Sequence, residues 1–274
     1  MDIAGRREEP RFLQKAFLIP FYKMLFHCEK IGLAGIVLLL FIFILPSPHL
    51  VFSQFSAHYE PDYKEVFGKD YEYALKTIEN GRWMTDTLEN DGFDPNFALA
   101  IIFPELIRYS SLIDYIQVKG LEVLYVQYGM DYADFSIGLF QMKPSFAKRI
   151  EVDLLKNSLI DKYTSLSALK PDSSETIEIR KERIIRLKND YYQLLYLEAF
   201  ICIMDNLHQE LAKIAPTDKL IFYSTAYNTG YFKDSPVIMD EMTRKSFYQG
   251  LDSKSVKYSY SDISLWYYIS RKER

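Results

Sequence analysis

The chain has 274 residues, 49% of them apolar and 26% charged, with a formal net charge of -4. That is enough apolar material to bury the core of one or two domains, so disorder is excluded as the default state. Of the 33 basic and 37 acidic residues, 27 and 33 fall after position 53, giving a body of net charge -6; it lacks the basic stripe that gains affinity by releasing counterions, and nucleic acid is not an expected partner.

The first feature along the chain is the apolar run Ile31–Leu45, preceded by Lys30 and followed by Pro46-Ser47-Pro48. It is short for a bilayer span of about twenty residues and fits the apolar region of a secretory signal, with Val51-Phe52-Ser53 as the cleavage region. Thirty residues ahead of it are long for a signal's basic region, whereas Met24 would begin a conventional one, so Met24 is the expected true start. The competing reading is an uncleaved anchor extended through Leu50 and Val51. Residues 1–53 are thus a signal peptide or membrane anchor, and the protein is expected to be exported, periplasmic or secreted, touching membrane only through such an anchor. Cys28 and Cys202 are the two cysteines. A mature chain keeps Cys202 alone, in the apolar stretch Ala199–Met204, which fits a buried helix thiol and permits no internal disulfide. His58 and His208 are too few and too separated for a metal cluster, so neither a metal nor another cofactor is expected.

Residues 54–274 read as one mainly helical domain. Asp94-Pro95 supplies an N-cap and a proline at the first helical position, and the apolar residues after it predict a helix from about Pro95 to Tyr109. Pro104 inside that helix predicts a kink just before Glu105. A second helix is expected over Lys119–Tyr128, ending at Gly129. Residues 157–172 are the expected flexible stretch. Pro171 to Glu175 places a cap ahead of a charged segment from Ile177 that runs through Tyr191 toward Ile214, as one long helix or two end to end. Thr217-Asp218 can cap a further helix stopped by Gly230. Strand signals are weak.

Three segments carry the chemistry: Ala98–Glu105, reading ALAIIFPE; Gly138–Ala147, reading GLFQMKPSFA; and Ala226–Gly230, reading AYNTG. In this order they resemble the soluble lytic transglycosylase family of the lysozyme-like superfamily, which cleaves the glycan of bacterial peptidoglycan. That family has a glutamate near the end of an apolar helix, a GLMQ-x-x-P-x-x-A segment and an AYN-x-G segment. The resemblance spans about Phe93 to Gly230. It implies a lysozyme-like helical domain with a glycan-binding groove, peptidoglycan glycan strands as partner, and cleavage of the bond between N-acetylmuramic acid and N-acetylglucosamine.

The residues themselves support the same cast. Glycosidic cleavage needs a proton delivered at neutral pH, which a carboxyl can do where apolar surroundings raise its pKa, and Glu105 follows Ile101–Pro104. The resemblance makes this glutamate acid and then base while the sugar's own 6-hydroxyl closes a 1,6-anhydro ring. If water attacks, a second carboxylate is required, and Asp114, Glu122, Asp131 and Asp134 are the candidates. Gln141 can pair with sugar hydroxyls or N-acetyl groups without adding charge. Phe140 and Met142 flank it as candidate sugar or peptide contacts, or as core. Gly138 permits a tight turn or close backbone approach. The resemblance places the Tyr227 hydroxyl near the acid and makes Asn228 a support of the groove. Two departures stand out. Leu106 occupies the position where the family has serine, with Ser110 as a substitute hydroxyl, and the interval from Glu105 to Gly138 is longer than the family's. They keep open a muramidase of the same fold, and a catalytically silent glycan-binding or scaffold module.

Overall fold

The computed structural model describes residues 61–111, 115–170, 175–248 and 256–272, and these are mainly helical. The apolar run at residues 31–45, Cys28 and the expected cleavage region lie outside them. Among the described residues no helix is long and apolar enough to cross a membrane.

Three helices come first: α1 (Tyr63–Phe67), α2 (Lys69–Asn80) and α3 (Arg82–Asn90). Next is α4, Pro95–Ser111, where Asp94 Oδ1 accepts from the backbone N–H of Asn96 and Phe97 at 2.9 and 3.3 Å, as the Asp-Pro signal requires. The helix runs on through Pro104. Every side chain from Phe97 to Ile107 is buried, so this middle stretch of α4 must be enclosed by other elements. After it come α5 (Tyr115–Tyr128), α6 (Pro144–Lys156) and α7 (Leu159–Lys162), then a 3₁₀ turn over Thr164–Leu169. The stretch expected to be flexible therefore holds two short helical pieces as far as residue 170. Leu159, Leu166 and Leu169 are buried there, and their burial offsets the entropy of ordering it.

The charged segment forms two helices, α8 (Ile177–Leu187) and α9 (Asp190–Leu207). The break is chemical: Asn189 Oδ1 accepts from the N–H groups of Tyr191 and Tyr192, so the chain starts a new helix there. The cap of α8 is Thr176, whose hydroxyl accepts from Ile179 N–H at 3.3 Å. A 3₁₀ turn over Gln209–Lys213 leads to α10 (Pro216–Thr229). Pro216 holds its first position and Ala215 the cap, with no capping side chain, so Thr217-Asp218 falls inside the first turn and not at the cap expected of it. Gly230, at φ +104°, ends it. The chain closes with α11 (Ser235–Glu241), a two-stranded antiparallel pair β1 (Lys245–Phe247) and β2 (Tyr258–Ser259), and α12 (Tyr260–Lys272).

Helices α2, α3, α10 and α12 pack around α4. The Phe103 ring stacks on Tyr267 at 4.1 Å and meets Tyr71 edge-on at 5.0 Å, tying α4 to α12 and α2. A second group gathers α5, α6, α8 and α9 around one buried guanidinium. Arg183 donates to both Glu151 oxygens (2.6 to 3.1 Å), to the Tyr125 hydroxyl (2.6 Å) and to Glu175 (3.0 Å), while the Tyr196 hydroxyl donates to Glu151 at 2.6 Å. With every oxygen and proton engaged, this charge can stay buried.

Helix α9 is buried continuously from Gln193 to Met204 and includes two polar residues of opposite fortune. Gln193 is fully paired with backbone. Glu198 is fully buried, no N–H or hydroxyl donor among the described residues pairs with its carboxyl oxygens, and the Asp91 carboxyl lies within hydrogen-bonding reach. Burial first, and then the carboxylate of Asp91 at the end of α3, pushes its pKa up to about 8. Cys202, one turn on, is free and buried, and burial pushes its thiol up to about 12.

Candidate active site

The stretch GLFQMKPSFA divides at Pro144. Its second half is the first turn of α6, with proline at the first helical position. Its first half is a tight reversal in which Ile137 and Met142 exchange backbone hydrogen bonds (2.9 and 3.1 Å), leaving residues 138–141 as the connection. Both ends of that connection are left-handed, Gly138 at φ +69° and Gln141 at φ +50°. A side chain on Gly138 would overlap the Gln193 amide outright and come within 2.5 Å of the Leu187 carbonyl oxygen, so glycine is required twice, for conformation and for space. Gln141 takes the rarer option for a non-glycine residue. Its own amide donates to the Gly138 carbonyl at 2.8 Å and closes the turn.

The turn is held from below and behind. Gln193 accepts from the Phe140 N–H at 2.6 Å while donating to Leu187 at 2.6 Å, and the Tyr227 hydroxyl donates to the Phe140 carbonyl at 2.9 Å. Both backbone polar groups of Phe140 are thereby satisfied and its ring is wholly buried. Phe146 extends this support, its ring 5.1 Å from Tyr227, 5.7 Å from Tyr231 and 5.9 Å from Phe200. Asp134 fixes the start of α6 by accepting from the Ser145 N–H (3.0 Å) and hydroxyl (2.7 Å).

Above the turn lies a cleft of about 410 Å³, within the range of about 300–1,000 Å³ usual for small-molecule sites. Its walls include Glu105 and Arg108 of α4, Gln141 and Met142 of the turn, and Tyr227 and Asn228 of α10. Thus Glu105, Gln141, Met142, Tyr227 and Asn228, singled out in sequence, share one cleft. Gly138 and Phe140 do not line it, and act from beneath through backbone shape and packing. The Gln141 amide is engaged with its own turn, and Met142 is 2% exposed, so what each offers the cleft is narrow.

Glu105 is 4% exposed. Arg108 Nη1 donates to both of its oxygens at 3.1 and 2.9 Å. The Tyr260 hydroxyl donates to the Ile101 carbonyl at 3.1 Å and lies beside the Glu105 carboxyl. Burial raises the pKa of Glu105 and outweighs the lowering by Arg108, Tyr260 and the more distant Lys143. Burial and the Glu105 charge push the Tyr227 and Tyr260 phenols well up, so both stay protonated.

Leu106, at the family's serine position, is fully buried on the core side of α4, so no hydroxyl reaches the cleft from there. The long interval before Gly138 holds the end of α4 and helix α5, which packs on α8. Arg180 anchors its end by donating to the Val126 and Gln127 carbonyls at 2.8 and 3.1 Å. Of the candidate second carboxylates, Asp134 lines the cleft, Glu122 pairs with Lys188 at 2.8 Å, Asp131 is exposed and Asp114 lies outside the described residues, as does the side chain of Ser110.

Sequence reasoning missed Arg108, Gln193 and Tyr260 as parts of the site. Gln193 had a signal, a lone amide within the apolar run of α9; the pairing of Tyr260 with a residue 155 positions earlier had none. Among the described residues no group of three or more His, Cys, Asp or Glu side chains is placed to hold a metal ion. No family model, curated protein or solved structure matches the chain.

Proposed function

We propose that the cleft is the active site of an exported, lysozyme-like lytic transglycosylase that cuts the bond between N-acetylmuramic acid and N-acetylglucosamine in peptidoglycan. The observation that carries this reading is Glu105: a carboxyl with a burial-raised pKa, reaching the wall of a cleft it shares with Gln141, Tyr227 and Asn228. A carboxyl whose pKa burial raises above its ordinary value is closer to the protonated form that a general acid needs.

In the proposed reaction Glu105 gives its proton to the glycosidic oxygen as the bond from that oxygen to C1 breaks. The resulting carboxylate takes the proton of the sugar's 6-hydroxyl, whose oxygen closes on C1 to give the 1,6-anhydro ring. Glu105 ends protonated, and no water is consumed. Tyr227 holds the turn through Phe140 and stands beside the acid as a neutral phenol. Asn228 offers an amide to the glycan at the cleft wall.

One observation favours a second reading, a hydrolase of the same fold: Asp134 lines the same cleft and could activate water. Both Asp134 oxygens are engaged by Ser145, which favours the lyase. Digestion of purified peptidoglycan followed by mass spectrometry separates them, because hydrolysis adds a water and the lyase reaction does not. Glu105→Gln should abolish product formation, and unchanged turnover would remove Glu105 from the mechanism. Glycan binding with no turnover in the wild type would point to a silent binding module.

A further inference from the structure

The Glu105–Arg108 pair presents a conflict. A general acid must carry its proton, yet a guanidinium bonded to both carboxyl oxygens favours the ionised form. Arg108 also stands on the cleft side of the pair: its side chain is 26% exposed, against 6% for Glu105, and it lines the cleft itself. A glycan that approaches the carboxyl therefore meets the guanidinium first. One nitrogen, Nη1, serves both Glu105 oxygens, and the planar group lies over the Phe247 ring at 4.7 Å.

We propose that Arg108 is a substrate-operated latch: it holds the Glu105 carboxylate in the free protein and transfers to a carboxylate carried by the glycan on binding, which releases Glu105 to take up a proton and act as acid. This rests on the reading of the cleft as a glycan-cleaving site. The incoming carboxylate replaces that of Glu105 as partner of the guanidinium, and the proton comes from solvent as the complex forms. Other groups around Glu105 do not supply such a trigger. Tyr227 and Tyr260 remain neutral phenols, Lys143 is an exposed and more distant cation at the head of α6, and Asp134 is bound to Ser145.

Two sources of carboxylate exist on peptidoglycan, the lactyl group of a peptide-free muramic acid and the peptide stem. An oligomer of N-acetylglucosamine has neither. The test is the pH dependence of kcat and kcat/KM on peptide-free strands, peptide-bearing strands and that neutral oligomer. Wild type, Arg108→Gln, Arg108→Lys and Glu105→Gln are compared. In wild type the alkaline limb of kcat, which reports the bound complex, should lie about one to three pH units higher with the carboxylate-bearing strands than with the neutral oligomer. Arg108→Gln should raise the limb of kcat/KM by a similar amount on every glycan and erase the difference in kcat, while Arg108→Lys should restore the wild-type pattern. If only peptide-bearing strands raise the limb, the stem supplies the carboxylate; if peptide-free strands do so as well, the lactyl group suffices. Turnover that depends on Glu105 but shows the same limbs in wild type and Arg108→Gln overturns the latch alone. Absence of turnover on all three glycans overturns the glycan-cleaving reading, and the latch with it.

Discussion

Replacing Glu198 with glutamine should make the protein more stable, by an amount that grows with pH. The carboxyl is fully buried with no N–H or hydroxyl donor on it and the Asp91 carboxyl beside it, and its pKa is pushed up to about 8 from an ordinary 4.5. A carboxyl raised on folding binds its proton more tightly in the native state. Its contribution is therefore fully present below about pH 4.5 and is lost as pH rises through 8. At about 1.4 kcal/mol per pH unit, linkage from this one group lowers wild-type stability by about 4 kcal/mol between pH 5 and pH 8.5. Glutamine keeps the shape and cannot ionise. Titrating groups that do not touch Glu198 are common to both proteins and cancel in the difference, so urea denaturation of wild type and Glu198→Gln at the two pH values isolates this carboxyl and its contact with Asp91. The gap in unfolding free energy should widen by about 4 kcal/mol toward alkaline pH. A gap that stays constant within about 1 kcal/mol would mean that Glu198 is solvated or partnered in the native state, and the account of its burial would fall.

Three further substitutions probe the frame of the site. Gly138→Ala forces a side chain into the Gln193 amide and the Leu187 carbonyl at a positive φ; it should cost about 3 kcal/mol or more in thermal or urea unfolding, and wild-type stability would refute the packing described. Tyr227→Phe strands the buried Phe140 carbonyl and should cost about 1–3 kcal/mol together with most of the turnover; full activity would show that the turn holds its shape without that bond. Arg183→Met leaves Glu151 charged and buried, and should lose about 3–5 kcal/mol by calorimetry.

Local chemistry was legible in the sequence wherever it depends on residues a few positions apart. Asp94 and Pro95 announce the start of α4, and Gly230 announces the end of α10, because a cap or a left-handed stop needs one particular residue at one particular place. The three segments of the cleft were legible for the same reason. What escaped depends on distant partners. The roles of Gly138 and Phe140 are set by Gln193, more than fifty positions on, which occupies the space under the turn; no spacing rule within GLFQMKPSFA reveals it. Residues 157–172 look polar and loose in sequence, yet three leucines suffice to hold residues 159–169 in short helices. The fate of Leu106 turned on which face of α4 meets the core. A helix apolar on all sides does not announce that face, because neighbouring helices and not the pattern decide it.

Helix α12 has a consequence for the order of events in the life of this chain. The helix that bears Glu105 is walled by residues 260–272, which are synthesised well after it, and Tyr260 lies beside the carboxyl itself. A nascent chain that has not yet released this segment leaves one side of α4 bare, so the acid keeps a hydrated, ordinary carboxylate. Docking of α12 is in effect a check that synthesis has passed well beyond α4. On the reading proposed here, an enzyme able to cut its host's wall gains its reactive group only once α12 docks on α4.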